Sequence, residues 1–267
     1  AAFDKIEFKV AFTCFFDETA AECDVVLPTA MGLERYDDVL TPYGCAQQTY
    51  SWAVPVAAPL FSARAAGDVV IKLAKALGAD LGVSNFKKAL EAKAQALGAD
   101  PKALKKGEAF VDEATASASL SLDSYKLGKA LEAKAPEGQY SLAPYAKLNV
   151  GTKYVPTPPY NLKTIRDTEL LGQDFFVQVN AGTAQKLGVG EGDLVTLSND
   201  SGSCQARIHI HCGVMDGVVA APLGYGHTHT DDYTQDKGGN VADLMTPVTE
   251  AGTDSTIWNR TMVSITK

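Results

Sequence analysis

Val177–Gly202 reads VQVNAGTAQKLGVGEGDLVTLSNDSG, and this stretch decides the fold of the last third of the chain. Phe175, Val177 and Val179 alternate with Phe176, Gln178 and Asn180, the period of two that puts apolar side chains on one face of a strand, with Phe176 breaking the polar face. Thr183–Leu187 predicts one short helical turn stopped by Gly188, because glycine accepts the left-handed conformation that ends a helix. Gly190 and Gly192 bracket Glu191 in a tight turn before Asp193. Leu194–Ser198 alternates again as a strand, and Asn199–Gly202 carries residues that tolerate positive φ in a hairpin. Ala206–Cys212, Val214–Pro222 and Arg260–Thr266 supply further strands. Many short strands joined by glycine-rich turns predict a small closed β-barrel.

Upstream the pattern changes. Lys5–Phe16 is strand-like, residues 17–22 predict a helical turn, and Cys23–Pro28 predicts a second strand closed by proline. Asp68 is expected to cap a helix whose apolar face is Val69, Val70, Leu73, Ala74 and Leu77, ending at Gly78. Residues 79–135 are rich in Ala, Lys, Leu and Glu. Ser84 is expected to cap a helix over Phe86–Leu97, and Asp100-Pro101 to start another, since proline fits the first helical position. ALEAKA recurs at Ala89–Ala94 and Ala130–Ala135, a coincidence that common helix formers produce readily. Five prolines between Pro136 and Pro159 predict a linker. The reading is therefore a sheet-domain remnant over 1–78, a helical insertion over 79–135, a linker over 136–154 and a barrel over 155–267.

Composition sets outer bounds. With 267 residues, 46% of them hydrophobic, the chain can bury two modest cores. A net charge of −8 without a basic patch argues against nucleic acid. No apolar run approaches the roughly 18 residues that a membrane helix needs. The cysteines, Cys14, Cys23, Cys45, Cys204 and Cys212, include no Cys-x-x-Cys pair, which argues against iron–sulfur or zinc ligation within the chain. His209 and His211 share a strand face, but with no third ligand nearby a solvent-facing strand explains them better than a metal.

Three further segments carry a family resemblance. Glu18-Thr19-Ala20, Cys23–Pro28 and Glu34-Arg35 match a "TETA…ADVVLP…ER" passage, with Cys23 where alanine is usual; Gly224-Tyr-Gly226-His227 and Gly238-Gly239-Asn240 follow the barrel strands. In this order they resemble the molybdopterin-dinucleotide oxidoreductases, the superfamily of dimethyl sulfoxide reductase and formate dehydrogenase. The Gly-x-Gly-His form is similar to its polysulfide and thiosulfate reductase branch, which includes the molybdopterin-like subunits of menaquinone reductase complexes. The resemblance implies a fold of α/β plus β class: part of an αβα parallel-sheet domain, a helical insertion, then a double-psi β-barrel. It also implies a molybdopterin guanine dinucleotide approached by Gly226, His227, Gly239 and Asn240, with Thr164 and Arg166 reaching it from the segment before the barrel. A glycine lets backbone approach a flat ring, and an arginine fork suits pyrophosphate or a ring edge.

The family's metal ligand and iron–sulfur cysteines lie upstream of anything matched here, so the reading assigns no catalytic and no metal-binding residue. It expects the chain to begin inside the sheet domain, with an upstream part of the same subunit completing it. Implied partners are an iron–sulfur protein, a multihaem cytochrome c and a membrane quinone-reactive subunit; the implied location is periplasmic and membrane-associated through those partners. Two alternatives stay open. One is a metal-free scaffold and electron-transfer subunit of a menaquinone reductase complex, and the acidic Thr228–Asp236 loop would suit it by repelling a pyrophosphate. The other is a stand-alone double-psi binding module.

Overall fold

The computed structural model describes residues 2–42, 44–112, 136–147, 149–150, 164–249, 255–258 and 261–267. They fall into two compact units, one within residues 1–14 and 22–122, the other within residues 15–21 and 123–267.

In the first unit, β1 (Val10–Thr13) and β2 (Val25–Pro28) pair in parallel, from Val10 opposite Val25 to Thr13 opposite Pro28. The four-residue helix α1 (Glu18–Ala21) lies between them in sequence. Next come the antiparallel pair β3 (Asp37–Leu40) and β4 (Gln48–Ala53), then helices α2 (Ala66–Ala76), α3 (Phe86–Ala96) and α4 (Pro101–Lys105). Strand β5 (Phe110–Asp112) adds to β4. Tyr50, Trp52, Leu90, Ala94, Ala99 and Leu104 form this unit's small core. The insertion read over 79–135 is thus no separate body as far as it is described. Its helices cover β3 and β4, and β5 completes their sheet; residues 113–135 lie outside the described part.

Two caps differ from expectation. Helix α2 starts at Ala66 without a side-chain cap, because the Asp68 carboxylate accepts from the Phe86 amide (2.7 Å) and ties two helices together instead. Helix α3 is capped by Asn85, one residue after Ser84, whose Oδ1 accepts from Lys88 N (2.9 Å). Asp100 caps α4 as expected. No residue of α2 is buried: Val70, Leu73 and Leu77 of its apolar face are all exposed.

The second unit is the barrel. Its elements are β6 (Tyr140–Tyr145), β7 (Leu170–Leu171), β8 (Asp174–Val179), helix α5 (Ala181–Leu187), β9 (Leu194–Asn199), β10 (Gly202–Ile210), β11 (Val218–Pro222), the short pair β12 (Val248–Thr249) and β13 (Thr256–Ile257), and β14 (Met262–Thr266). The order β10-β9-β14-β6-β11-β8 closes on itself through a β10–β8 pairing, giving six strands around one core, with β7 appended to β8. The β8–β10 and β6–β11 pairs are parallel and the remaining neighbours antiparallel. Closure leaves no free edge among these six strands, which suits strands this apolar. Phe175, Val177, Val179, Leu197, Ala206, Ile208, Val219 and Ala221 are wholly buried inside it. Each large aliphatic side chain so placed contributes about 1.5–3 kcal/mol of transfer free energy.

The segment 136–154, read as a linker, contains β6, which sits between β11 and β14. Pro144 hid it: proline cannot donate to a ladder and normally demotes a strand. Here Pro144 lies opposite Ala221 at the parallel seam, while Leu142 packs into the core. Residues 151–163 lie outside the described part.

Candidate functional site

The six residues singled out from the sequence fall at two places in the barrel unit. Four belong to a pair of crossing loops, 225–230 and 235–240. The Gly226 amide donates to Lys237 O (2.7 Å), Asp236 N donates to His227 O (2.9 Å), and Gly238 N donates to Gln173 O (2.7 Å). Gly226 has φ +80°, and a Cβ on it would stand 2.3 Å from Asn240 N. A Cβ on Gly239 would stand 2.9 Å from Cys204 Cβ and 3.2 Å from the Phe175 ring. Both glycines therefore admit close approach, but what approaches is the protein's own backbone and core.

Asn240 is committed to its own turn. Its Oδ1 accepts from Ala242 N (3.2 Å), capping the 3-10 turn Val241–Leu244, and its Nδ2 donates to Asp243 Oδ1 (2.9 Å). His227 Nδ1 meets the Glu18 carboxylate at 3.1 Å, and the same carboxylate accepts from the amides of Thr228 (2.9 Å) and His229 (3.2 Å). Burial pushes the Glu18 carboxyl up, but its own backbone amide, those of His229 and Thr228 and the imidazole outweigh it and hold it below the usual carboxylate range. An ionised carboxylate only accepts, so His227 Nδ1 is the donor of this contact.

Thr164 and Arg166 lie on the turn entering β7. Thr164 Oγ1 accepts from Asn149 Nδ2 (3.3 Å), and Arg166 is exposed. Beside them is a cluster that the sequence did not disclose. Lys147, whose side chain is 8% exposed, meets Glu169 at 2.8 Å as an ion pair rather than an aligned hydrogen bond. Gln178 Nε2 donates to the Tyr145 hydroxyl (3.3 Å). The Tyr225 hydroxyl is buried with no hydrogen-bond partner among the described residues. Burial, with the Glu169 and Tyr145 charges behind it, pushes that phenol upward. Lys147 was missed because the segment that holds it, 136–154, was read as linker.

Elsewhere, His209 Nδ1 contacts Glu191 (2.8 Å) and His211 Nδ1 accepts from Gly213 N (3.1 Å). No group of three metal-ligating side chains occurs among the described residues. A cavity of about 560 Å³ lies in the first unit, lined by Arg35, Arg64, Lys72 and Lys87 among others, and contains none of the candidate residues.

Against a pterin edge, the loop pair fits poorly in this geometry. Its glycines are spent on protein contacts and both polar ends of Asn240 on its own turn. Among the described residues, the groups of this site not so committed are His227 Nε2, the Tyr225 hydroxyl and the Arg166 guanidinium.

Comparison with known proteins agrees with the architecture. Residues 160–260 match the Molydopterin dinucleotide binding domain. The chain is 50% identical over 263 residues to a menaquinone reductase, molybdopterin-binding-like subunit of Nitratidesulfovibrio vulgaris strain Hildenborough, a match covering 98% of this chain and 38% of that protein. A shorter match, 37% identical over 57 residues, is to the arsenate respiratory reductase molybdopterin-containing subunit of Chrysiogenes arsenatis, covering 21% of this chain and 7% of that one. Among solved structures, acetylene hydratase from Pelobacter acetylenicus shares the fold, with a TM-score of 0.70 at 14% identity over 99% of this chain and 41% of that one. The chain thus spans well under half the length of these relatives.

Proposed function

We propose, from the premise that the chain belongs to the molybdopterin-dinucleotide oxidoreductase family, that it is the C-terminal portion of a subunit of a quinone reductase complex, menaquinone being the quinone. The observation carrying this reading is the match along 98% of the chain to the menaquinone reductase subunit, in which both the sheet remnant and the barrel take part. A stand-alone barrel module would leave that N-terminal match unexplained. An iron–sulfur protein, a multihaem cytochrome c and a membrane quinone-reactive subunit are the partners this reading implies, on the periplasmic side of the membrane.

The barrel serves in such a subunit as the closing domain. Two versions differ in what it closes over. In one it clamps a molybdopterin guanine dinucleotide, with His227, Tyr225 and Arg166 as the groups left to hold it; bound there, the dinucleotide would carry the metal and the electron transfer. In the other the barrel is a scaffold, and its loops lock onto one another. The commitment of Gly226, Gly239 and Asn240 to internal contacts favours the scaffold. The test is to isolate the native complex from membranes by a tag on this chain and assay reduction of a water-soluble menaquinone analogue. Co-purification of quinone-reactive subunits with that activity supports the proposal; isolation as a lone protein without it would reject it.

A further inference from the structure

The loop after Gly226 is held in a strained shape. Thr230 has φ +108°, a conformation that a β-branched residue adopts only under constraint. Its Oγ1 is buried without a hydrogen-bond partner among the described residues, as is that of Thr234. A loop with these features would relax if released.

The constraint comes from a seven-residue segment that packs with the barrel unit, Phe15–Ala21. Thr230 N donates to Phe16 O (2.9 Å) in an isolated bridge, and the Phe16 ring meets the His229 ring edge-on at 6.0 Å. Two residues on, Glu18 Oε1 takes three donors from consecutive residues: His227 Nδ1, Thr228 N and His229 N. Consecutive amides aimed at one point form an anion-receiving nest, and the carboxylate fills it. A charge-assisted bond of this kind is roughly twice as strong as a neutral one.

We propose that Glu18 is a latch, an internal carboxylate that plugs the 227–229 nest and holds the strained 226–230 loop shut, so setting where His227 points. Through His227 O and Asp236 N the same closure fixes the opposing 235–240 loop. The latch acts on either version of the closing domain, because it concerns the loop and not what the loop meets. Glu18 is a positioning residue, not a catalytic one.

Site-resolved hydrogen–deuterium exchange on the intact complex tests this. Glu18→Ala removes every acceptor; exchange at the Thr228, His229 and Thr230 amides is expected to rise at least tenfold, with Val177 and Ile208 unchanged. Glu18→Gln keeps an oxygen at Oε1 and is expected to hold the three amides within about threefold of native, a rescue that loss of packing alone would not give. Glu18→Asp draws the carboxylate back by one methylene and should reproduce the alanine result, serving if that variant does not assemble. Exchange within threefold of native in both the alanine and aspartate variants would overturn the latch. Equal loss in alanine and glutamine variants would overturn the acceptor role of Oε1.

Discussion

Replacing Gly226 by alanine probes the loop crossing on which the reading of the barrel depends. Two costs follow from the structure. At φ +80° a Cβ meets its own backbone, about 1–2 kcal/mol. The same Cβ would stand 2.3 Å from Asn240 N, 2.7 Å from Gly239 C and 2.8 Å from Asn240 Cα. All three are main-chain atoms that cannot rotate aside, so the 237–240 loop must retreat and the Gly226–Lys237 bond lengthens. Overpacking of this kind costs roughly a further 1–3 kcal/mol. Gly192→Ala is the control: its φ is +78°, but nothing lies within 4 Å of the new Cβ, leaving only the first cost. Hydrogen exchange at Val177, Val179 and Ile208, read as the free energy of opening the barrel, compares the two. Gly226→Ala should lower that free energy by about 2–5 kcal/mol and Gly192→Ala by about 1–2. Equal effects would show that the crossing is not backbone against backbone, and the packing argument for Gly226 would fall.

Lys147→Ala should destabilise the barrel by about 2 kcal/mol at neutral pH, a buried-pair loss reduced because Glu169 is partly solvated. The sign with pH follows from Glu169: burial raises its carboxyl, but Lys147, joined by the Arg166 amide and charge, outweighs burial and holds it low in the native protein. Its contribution is therefore present above the unfolded carboxylate range and lost as pH falls through the lower folded value, so the deficit of the variant should shrink in acid. Urea titrations of native and variant protein at neutral and acid pH check this; a deficit independent of pH would refute the pair. Burial, with Asp243 behind it, pushes the Cys204 thiol up to about 11, so at pH 8 it should resist alkylation while exposed Cys212 reacts. Mass spectrometric mapping after brief iodoacetamide treatment reads both sites.

The barrel was legible because its strands are short, apolar on one face and punctuated by glycine. The Phe175–Val179, Leu194–Ser198 and Met262–Thr266 alternations all became strands in place. Strand β6 was not legible, since Pro144 carries the signal of a linker and only its pairing with Ala221 shows otherwise. The caps at Ser84 and Asp68 failed for a related reason: several polar residues near a helix start can cap it, and tertiary contacts choose among them. The candidate site shows the same limit. Gly226 and Asn240 lie side by side, but sequence does not tell a glycine that admits a ligand from one that admits a neighbouring loop. Glu18 and His227 are 209 residues apart, and no local pattern joins them.

The central claim is that this barrel closes a quinone reductase subunit with its loops locked on one another. Acid release and chromatographic assay of pterin and guanine nucleotide from the intact native complex, with molybdenum and tungsten measured on the same sample, tests it most directly. The account predicts a quinone-reducing complex with neither nucleotide nor metal in amounts approaching one per subunit. Stoichiometric pterin guanine nucleotide would contradict it, and would return Gly226, Gly239 and Asn240 to the role of a cofactor clamp.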